Sequence, residues 1–448
     1  MATSQASRPG APAARDRTLS RRRFLSRSAA AAASVCLAPS SVLGRDGAVA
    51  PNERIGVGVI GLGDRGSGHL EALLGRPEVQ VLAVCDPYRS KREGAKKRAE
   101  DYYARTRTLG GAYAGCEATS DFRQVLARED VDAVVIAAPE FWHGLMMAGA
   151  AKAGKDVYGE KALTLTVAEG RAVCDAVRRH GRVFQVGTQQ RSDRNFRFAC
   201  ELARNGYLGK LHTVQVGVPG GRALPIPQTK APPDDLDYDM WLGPAPLAPY
   251  NDLKCTFNWY FIYDYCVGWI QSWGVHHVDI ALWGAPSLAS GLLEVEGSAT
   301  FPRDGLADTS VTWRVTCTAP DGVRLGFSDN ACHAQGCRFE GDKGWVHVDR
   351  GGIWAEPRSL LSAEVKPDEE RLYESDDHLA NFLECVRTRR DPAAPVEAGH
   401  AATTLTIVAD AATRLGRKLT WDWSAERFVN DDDANRYLRR SMRSPWCL

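Results

Sequence analysis

The sequence predicts an α/β protein whose first domain is a doubly wound parallel sheet and whose remaining residues form a second domain facing the ligand. Apolar strands alternate with helical patterns from residue 54 to 187, and a glycine-rich turn follows the first of those strands. A chain of 448 residues, 44% hydrophobic and 25% charged, is long and apolar enough for two domains with cores of their own. Lys and Arg (56) nearly cancel Asp and Glu (55), leaving a formal charge of +1. No global field then draws in nucleic acid or an anionic membrane, and specific recognition of a small molecule is the expectation.

The first fifty residues read as an address. Ser20-Arg21-Arg22-Arg23-Phe24-Leu25-Ser26 sets arginines before Phe-Leu, and a short, weakly apolar stretch runs from Ala29 to Ala38. Ala48-Val49-Ala50 supplies the small-x-small pattern of a cleavage site. The expectation is a twin-arginine signal over residues 1–50, the twin-arginine export machinery as a partner, and a periplasmic or secreted protein. Val35 is too bulky for Cys36 to belong to a lipobox. Beyond this leader no apolar run reaches 18 residues, so stable membrane insertion is not expected.

Residues 51–187 form the expected dinucleotide-binding domain. Arg54 to Ile60 is a buried-strand pattern running into Gly61-Leu62-Gly63-Asp64-Arg65-Gly66, and a helical pattern follows from His69 to Leu74. Strand, G-x-G-x-x-G and helix in this order let a pyrophosphate approach the helix N-terminus, where free N–H groups and the helix dipole favour anions. Val79 to Cys85 is the second strand, and Asp86 at its end lies twenty residues beyond Gly66. An acid there accepts hydrogen bonds from ribose hydroxyls and repels a 2′-phosphate. Gly61, Gly63, Asp64, Arg65, Gly66 and Asp86 are therefore cofactor-binding candidates and NAD is favoured. Arg89, Lys91 and Arg92 keep NADP open.

The alternation continues through a strand at Val131 to Ala138, a helix from about Gly144 to Ala153, a short strand at Asp156 to Tyr158, a helix at Val167 to His180 and a strand at Val183 to Val186. In such sheets the ligand lies outside the carboxyl ends of the strands, where Glu140 to His143 and Glu160-Lys161 fall. The twelve cysteines include no C-x-x-C pair, and Cys332 and Cys337 lack zinc-ligand spacing; they read as small apolar core residues, and no metal is expected.

Glu160-Lys161, Gly187-Thr188-Gln189-Gln190-Arg191 and Trp273-Gly274-Val275-His276-His277-Val278-Asp279 resemble the marks of the Gfo/Idh/MocA family, the glucose-fructose oxidoreductase and inositol dehydrogenase group. Trp421-Asp422, Asp433-Ala434-Asn435-Arg436 and Arg443-Ser444-Pro445-Trp446 are similar to a secreted branch of it. The resemblance implies a Rossmann domain followed by an α+β domain, residues 188–420, with a large, mostly antiparallel open sheet that often makes a homo-oligomer interface; residues 421–448 form a tail. Leu211 to Val218, Ser310 to Thr318 and Val323 to Phe327 fit that sheet, and a helix at about Ala401 to Leu415 is expected to pack back on the first domain. His143, Glu160, Lys161 and Gln189 are implied cofactor contacts.

Hydride transfer from an alcohol needs a base for the hydroxyl proton and a donor for the developing oxyanion. The resemblance supplies Lys161 and His276. Many members carry Asp four residues before that histidine, and here the position is Ser272, so Asp279, His277 or a loop tyrosine such as Tyr263 becomes a candidate to stand in. Aromatic residues crowd Asn258 to Trp269, and rings of this kind suit the apolar faces of a sugar. Asn258, Trp259, Tyr260, Asp264, Asp279 and His277 are the substrate-binding candidates.

An exported enzyme meets no free NAD pool, so the cofactor is expected not to dissociate. The leading expectation is an NAD(P)-dependent oxidoreductase acting on a carbohydrate or polyol hydroxyl. The alternative is a glycoside hydrolase using transient C3 oxidation, elimination and re-reduction, with Tyr260, Tyr263 or His276 as the C2 base. A non-catalytic sugar-binding protein is the third reading.

Overall fold

The computed structural model describes residues 53–106, 113 and 115–448, so the expected leader lies outside the described residues. The first sheet has six parallel strands in the order β3-β2-β1-β4-β5-β6: β1 Ile55–Ile60, β2 Val79–Cys85, β3 Glu117–Thr119, β4 Ala133–Ile136, β5 Asp156–Gly159 and β6 Phe184–Val186. Strand order reverses between β1 and β4, and the crevice opens at that point. β1 is buried along its whole length, as a strand covered by helices on both faces must be, which is why it reads as a continuous apolar run.

Two differences from the sequence reading matter for the site. The helix expected from about Gly144 spans Glu140–Lys152, because Pro139 in an extended conformation is its N-cap and Glu140 already sits in the first turn. The helix after the glycine turn spans Asp64–Leu74, so Gly66 is a helical residue. β3 went unread: three residues carry no periodicity.

The second sheet has nine strands, ordered β13-β12-β11-β7-β10-β9-β8-β14-β15. They are β7 Leu211–Val218, β8 Leu292–Thr300, β9 Thr312–Thr318, β10 Arg324–Asp329, β11 Gly336–Gly341, β12 Gly344–Asp349, β13 Gly352–Glu356, β14 Leu419–Asp422 and β15 Arg427–Phe428. Neighbours run antiparallel except β7 and β10, which are parallel. Since β14 pairs with β8, residues beyond 420 begin as part of this sheet rather than as a separate tail.

Chain and domain do not coincide elsewhere either. The helix His378–Thr388 returns to the first domain, where Leu379, Phe382 and Leu383 join the core of Val57, Val59 and Tyr158. The helix Val396–Leu415 contacts both the first domain's helix Val167–Arg179 and the second domain's β8, as the expected return helix should. Between them the helix Gly274–Gly284 is buried at every residue. Arg191 pins it through a bidentate pair with Asp279, Nε to Oδ2 at 2.7 Å and a terminal nitrogen to Oδ1 at 2.8 Å. Among the described residues no helix is long and apolar enough to cross a membrane.

Candidate active site

A cavity of about 520 Å³ runs along the carboxyl ends of the first sheet, from Asp86 at one end to His276 at the other. At the first end the glycine turn is shaped by close contact. Gly61 has φ +86°, and a Cβ on Gly66 would lie 1.8 Å from the Gly61 carbonyl oxygen, so neither position tolerates a side chain. Beyond Gly63 a Cβ would meet nothing, and Gly63 caps the helix without a side-chain bond. That leaves open space over free backbone N–H groups, which fits a pyrophosphate.

Asp86 is buried and tied to this turn. Oδ2 accepts from the Leu62 N–H and Oδ1 from the Tyr88 N–H, each at 2.8 Å. Burial nevertheless pushes its carboxyl up from the usual range. A segment of the second domain roofs this end. Asp235 accepts from the Ser90 N–H and hydroxyl, the Arg89 N–H donates to the Asp235 carbonyl, and the Asp237 N–H donates to the Pro87 carbonyl.

At the other end Glu160 is the organising residue. Oε1 accepts from Arg65 Nε at 2.7 Å, His69 Nε2 at 2.8 Å and Gln189 Nε2 at 3.2 Å. Burial alone would raise this carboxyl, but the His69 and Arg65 contacts together hold it well below the usual carboxylate range. The next residue, Lys161, donates from Nζ to Ser272 Oγ at 2.9 Å, and its ammonium lies 5.4 Å from the Tyr260 ring centre. The Lys161-Ala162 peptide is cis. Ser272 thus keeps a contact with the lysine without bringing a charge.

His276 lines the cavity, its ring 5.7 Å from that of Trp273, and its Nδ1 is buried with no hydrogen-bond partner. Burial first, then the Lys161 and Arg350 charges, push its imidazole well below the usual range. It is neutral at physiological pH and able to accept a proton. Burial likewise pushes the Tyr260 phenol well above its usual range, so it stays a donor. Trp259 and Tyr260 stack with ring centres 3.8 Å apart.

The cavity gathers Gly61, Gly63, Asp64, Arg65, Asp86, Glu160, Lys161, Gln189, Trp259, Tyr260 and His276 from the sequence candidates; Gly66 acts beneath it. Six others do not line it. Asp279 is spent on Arg191. His277 is fully buried against Phe196, where burial pushes its imidazole down to about 3. Tyr263 lies under the Arg414 guanidinium at 3.9 Å, facing Asp410. Asn258 bonds Arg222 and Thr256, and Asp264 is exposed. His143 has its ring nitrogens 2.7 and 2.8 Å from the Ala162 and Ala138 carbonyl oxygens, so it braces the cavity wall from behind.

Sequence reasoning missed Trp273, Tyr88 and Arg350 as lining residues, and raised Lys91 only as a contact for a 2′-phosphate. Trp273 was within a quoted motif and Lys91 within the basic group after Asp86. Arg350 lies in the β12–β13 turn and had no sequence signal, since only the folded sheet carries it to this cavity.

Fold and site together define a dinucleotide-binding protein of the oxidoreductase type, with a second domain bordering the same cavity. The chain belongs to the Gfo/Idh/MocA oxidoreductase family: residues 55–188 match its NAD-binding Rossmann fold and residues 221–448 its C-terminal alpha/beta domain. It is 28% identical over 165 residues to the uncharacterized oxidoreductase YrbE of Bacillus subtilis, covering 37% of this chain and 44% of that protein. It is 30% identical over 181 residues to an alpha-N-acetylgalactosaminidase of Shewanella oneidensis, 40% of this chain and 38% of the relative. The matches thus span less than half of these relatives. A solved aldose-aldose oxidoreductase from Caulobacter crescentus, complexed with glycerol, shares the fold with a TM-score of 0.59 at 20% identity, over 82% of this chain and 99% of that one.

Proposed function

We propose that the protein is an exported carbohydrate or polyol oxidoreductase that keeps its NAD bound between turnovers. The observation that carries this reading is a single cavity with a pyrophosphate cradle and Asp86 at one end, and Lys161 beside a neutral His276 at the other. A bound NAD⁺ would supply the hydride acceptor for the substrate carbon.

The chain's own residues handle the proton. Lys161 Nζ, held by Ser272, donates to the substrate oxygen as charge develops there, and the His276 imidazole takes the hydroxyl proton. Trp259 and Tyr260 offer a ring platform for the sugar face, and the Tyr260 phenol adds a donor. The second-domain segment tied to residues 87–90 roofs the adenosine end and slows cofactor exchange. Asp86 favours NAD over NADP, with Lys91 the residue that would answer a 2′-phosphate. The twin-arginine leader suits a protein that folds around its cofactor before export to the periplasm or beyond, and the open second sheet is the face for a homo-oligomer.

A second reading, net hydrolysis of a glycoside with the redox change reversed in each cycle, is favoured by the match to the Shewanella glycosidase. The test is to denature the purified exported protein and examine what is released by mass spectrometry and absorbance at 340 nm. Near-stoichiometric NAD(H) supports both readings, and turnover with no added cofactor then separates them: a ketose or lactone product for the first, a released aglycone without net oxidation for the second. A protein that comes out empty and takes up no NAD⁺ overturns both.

A further inference from the structure

The catalytic end of the cavity carries positive charge that the protein does not neutralise. Lys161 has the uncharged Ser272 as its partner. The Arg350 guanidinium lies 4.8 Å from the Trp273 ring centre at the cavity wall, and it forms no hydrogen bond or ion pair with any described residue. Among the described residues the one carboxylate lining this end, Glu160, is occupied by Arg65 and His69. Glu140 is buried behind it, with Oε1 3.4 Å from the Ala162 N–H, and does not line the cavity.

Two cations facing one small cavity repel each other and gain most from a ligand that supplies the missing negative charge. Arg350 is the residue type for a carboxylate: its planar fork offers paired N–H donors, and the neighbouring Trp273 ring, its centre 4.8 Å away, does not use them as a hydrogen-bond acceptor would. We infer that the substrate is a sugar acid, a uronate or aldonate, whose carboxylate is held by Arg350 while its reacting hydroxyl lies between Lys161 and His276. This rests on the carbohydrate reading above and narrows it. The sugar ring would then lie against Trp259 and Tyr260, with its charged end toward the β12–β13 turn.

Arg350 sits in a hairpin turn and is exposed, so its replacement leaves the core intact. The experiment measures binding of D-galacturonate, D-gluconate, D-galactose and D-galactose 6-phosphate to the NAD-loaded full-length protein by calorimetry, alongside reduction of the bound cofactor at 340 nm. The expected result is that the two acids bind at least tenfold more tightly than galactose, and that Arg350→Met erases this preference while released-cofactor content stays the same. Arg350→Lys should retain part of the preference, because charge remains but the fork is lost. Equal affinity for acid and neutral sugar, a sugar phosphate binding more tightly than the acids, or cofactor loss in Arg350→Met would each overturn the inference. A loaded protein that oxidises only neutral sugars overturns the acid preference and leaves the carbohydrate reading standing. One that binds no sugar at all removes both.

Discussion

The two ends of the cavity are built in different ways. The Asp86 end is framed by one stretch of chain, Gly61 to Asp86, under a second-domain roof at Asp235 to Asp237, and is shaped mainly by backbone: a turn with no room for side chains, free N–H groups, and one carboxylate that also ties the turn together. The Lys161 end is assembled from Glu160, Lys161, Gln189, Tyr260, Ser272, His276 and Arg350, and presents side chains and uneven charge. The first rests mainly on a local backbone shape, and the second on side chains brought together from both domains. A fault at the first end should appear as lost cofactor, and a fault at the second as lost turnover with the cofactor still present.

Lys161→Met should give the largest effect, a fall in kcat of about 10²–10⁴-fold with bound NAD(H) unchanged. Single-turnover reduction of the bound cofactor measures it, and loss of cofactor instead would blur the division between the two ends. Asp279→Ala should act on stability alone. Removing one partner of a buried bidentate pair costs about 3–5 kcal/mol, read from the denaturant midpoint, and the folded fraction should keep its KM if Asp279 is a strut and not a ligand.

Asp86→Asn should weaken NAD by about 1.5–3 kcal/mol, the usual worth of hydrogen bonds to a charged group, and narrow the gap between NAD and NADP. Dialysis of loaded protein followed by mass spectrometry would show it, and a variant that holds NAD as firmly as before would remove Asp86 from the ribose.

The smallest effect is on pH dependence. His277 is held neutral in the folded state to about pH 3, whereas in the unfolded chain it titrates near the ordinary value of 6.5. Below 6.5 the unfolded state binds the extra proton, so stability is lost as pH falls, by about 2 kcal/mol at about pH 5 from this residue. Urea midpoints at the two ends of that range, for wild type and His277→Gln, would isolate this share. His276, also pushed down, should let the rate persist below pH 6.5, where an ordinary histidine base would already be protonated.

How far each region could be read in advance follows the same division. Gly61, Gly63, Gly66 and Asp86 were legible because strand, turn and helix succeed one another within thirty residues and each residue type has a local steric or electrostatic reason. Lys161 and His276 were legible only through family resemblance. His277 and Asp279 beside His276 do not line the cavity, and the sequence could not separate them, since a helix buried on every side offers no polar face by which to tell the side chain that opens to the cavity from those that brace the core. Tyr263 and Tyr260 are three residues apart, yet Tyr260 lines the cavity and Tyr263 packs under Arg414. Arg350 had no signal because a turn between two short strands is placed by the register of the whole sheet.

By itself, the sequence determined that strands and helices alternate into a parallel sheet, that a tight glycine turn follows the first strand, and that Asp86 ends the second strand, all consequences of contacts between residues near in the chain. Tertiary structure decided which of several adjacent polar and aromatic side chains face the cavity, that Ser272 meets Lys161, and that Arg350 closes the far end. Those contacts join residues that are tens to more than a hundred positions apart in the chain, and periodicity and spacing carry no information about them until both sheets are packed.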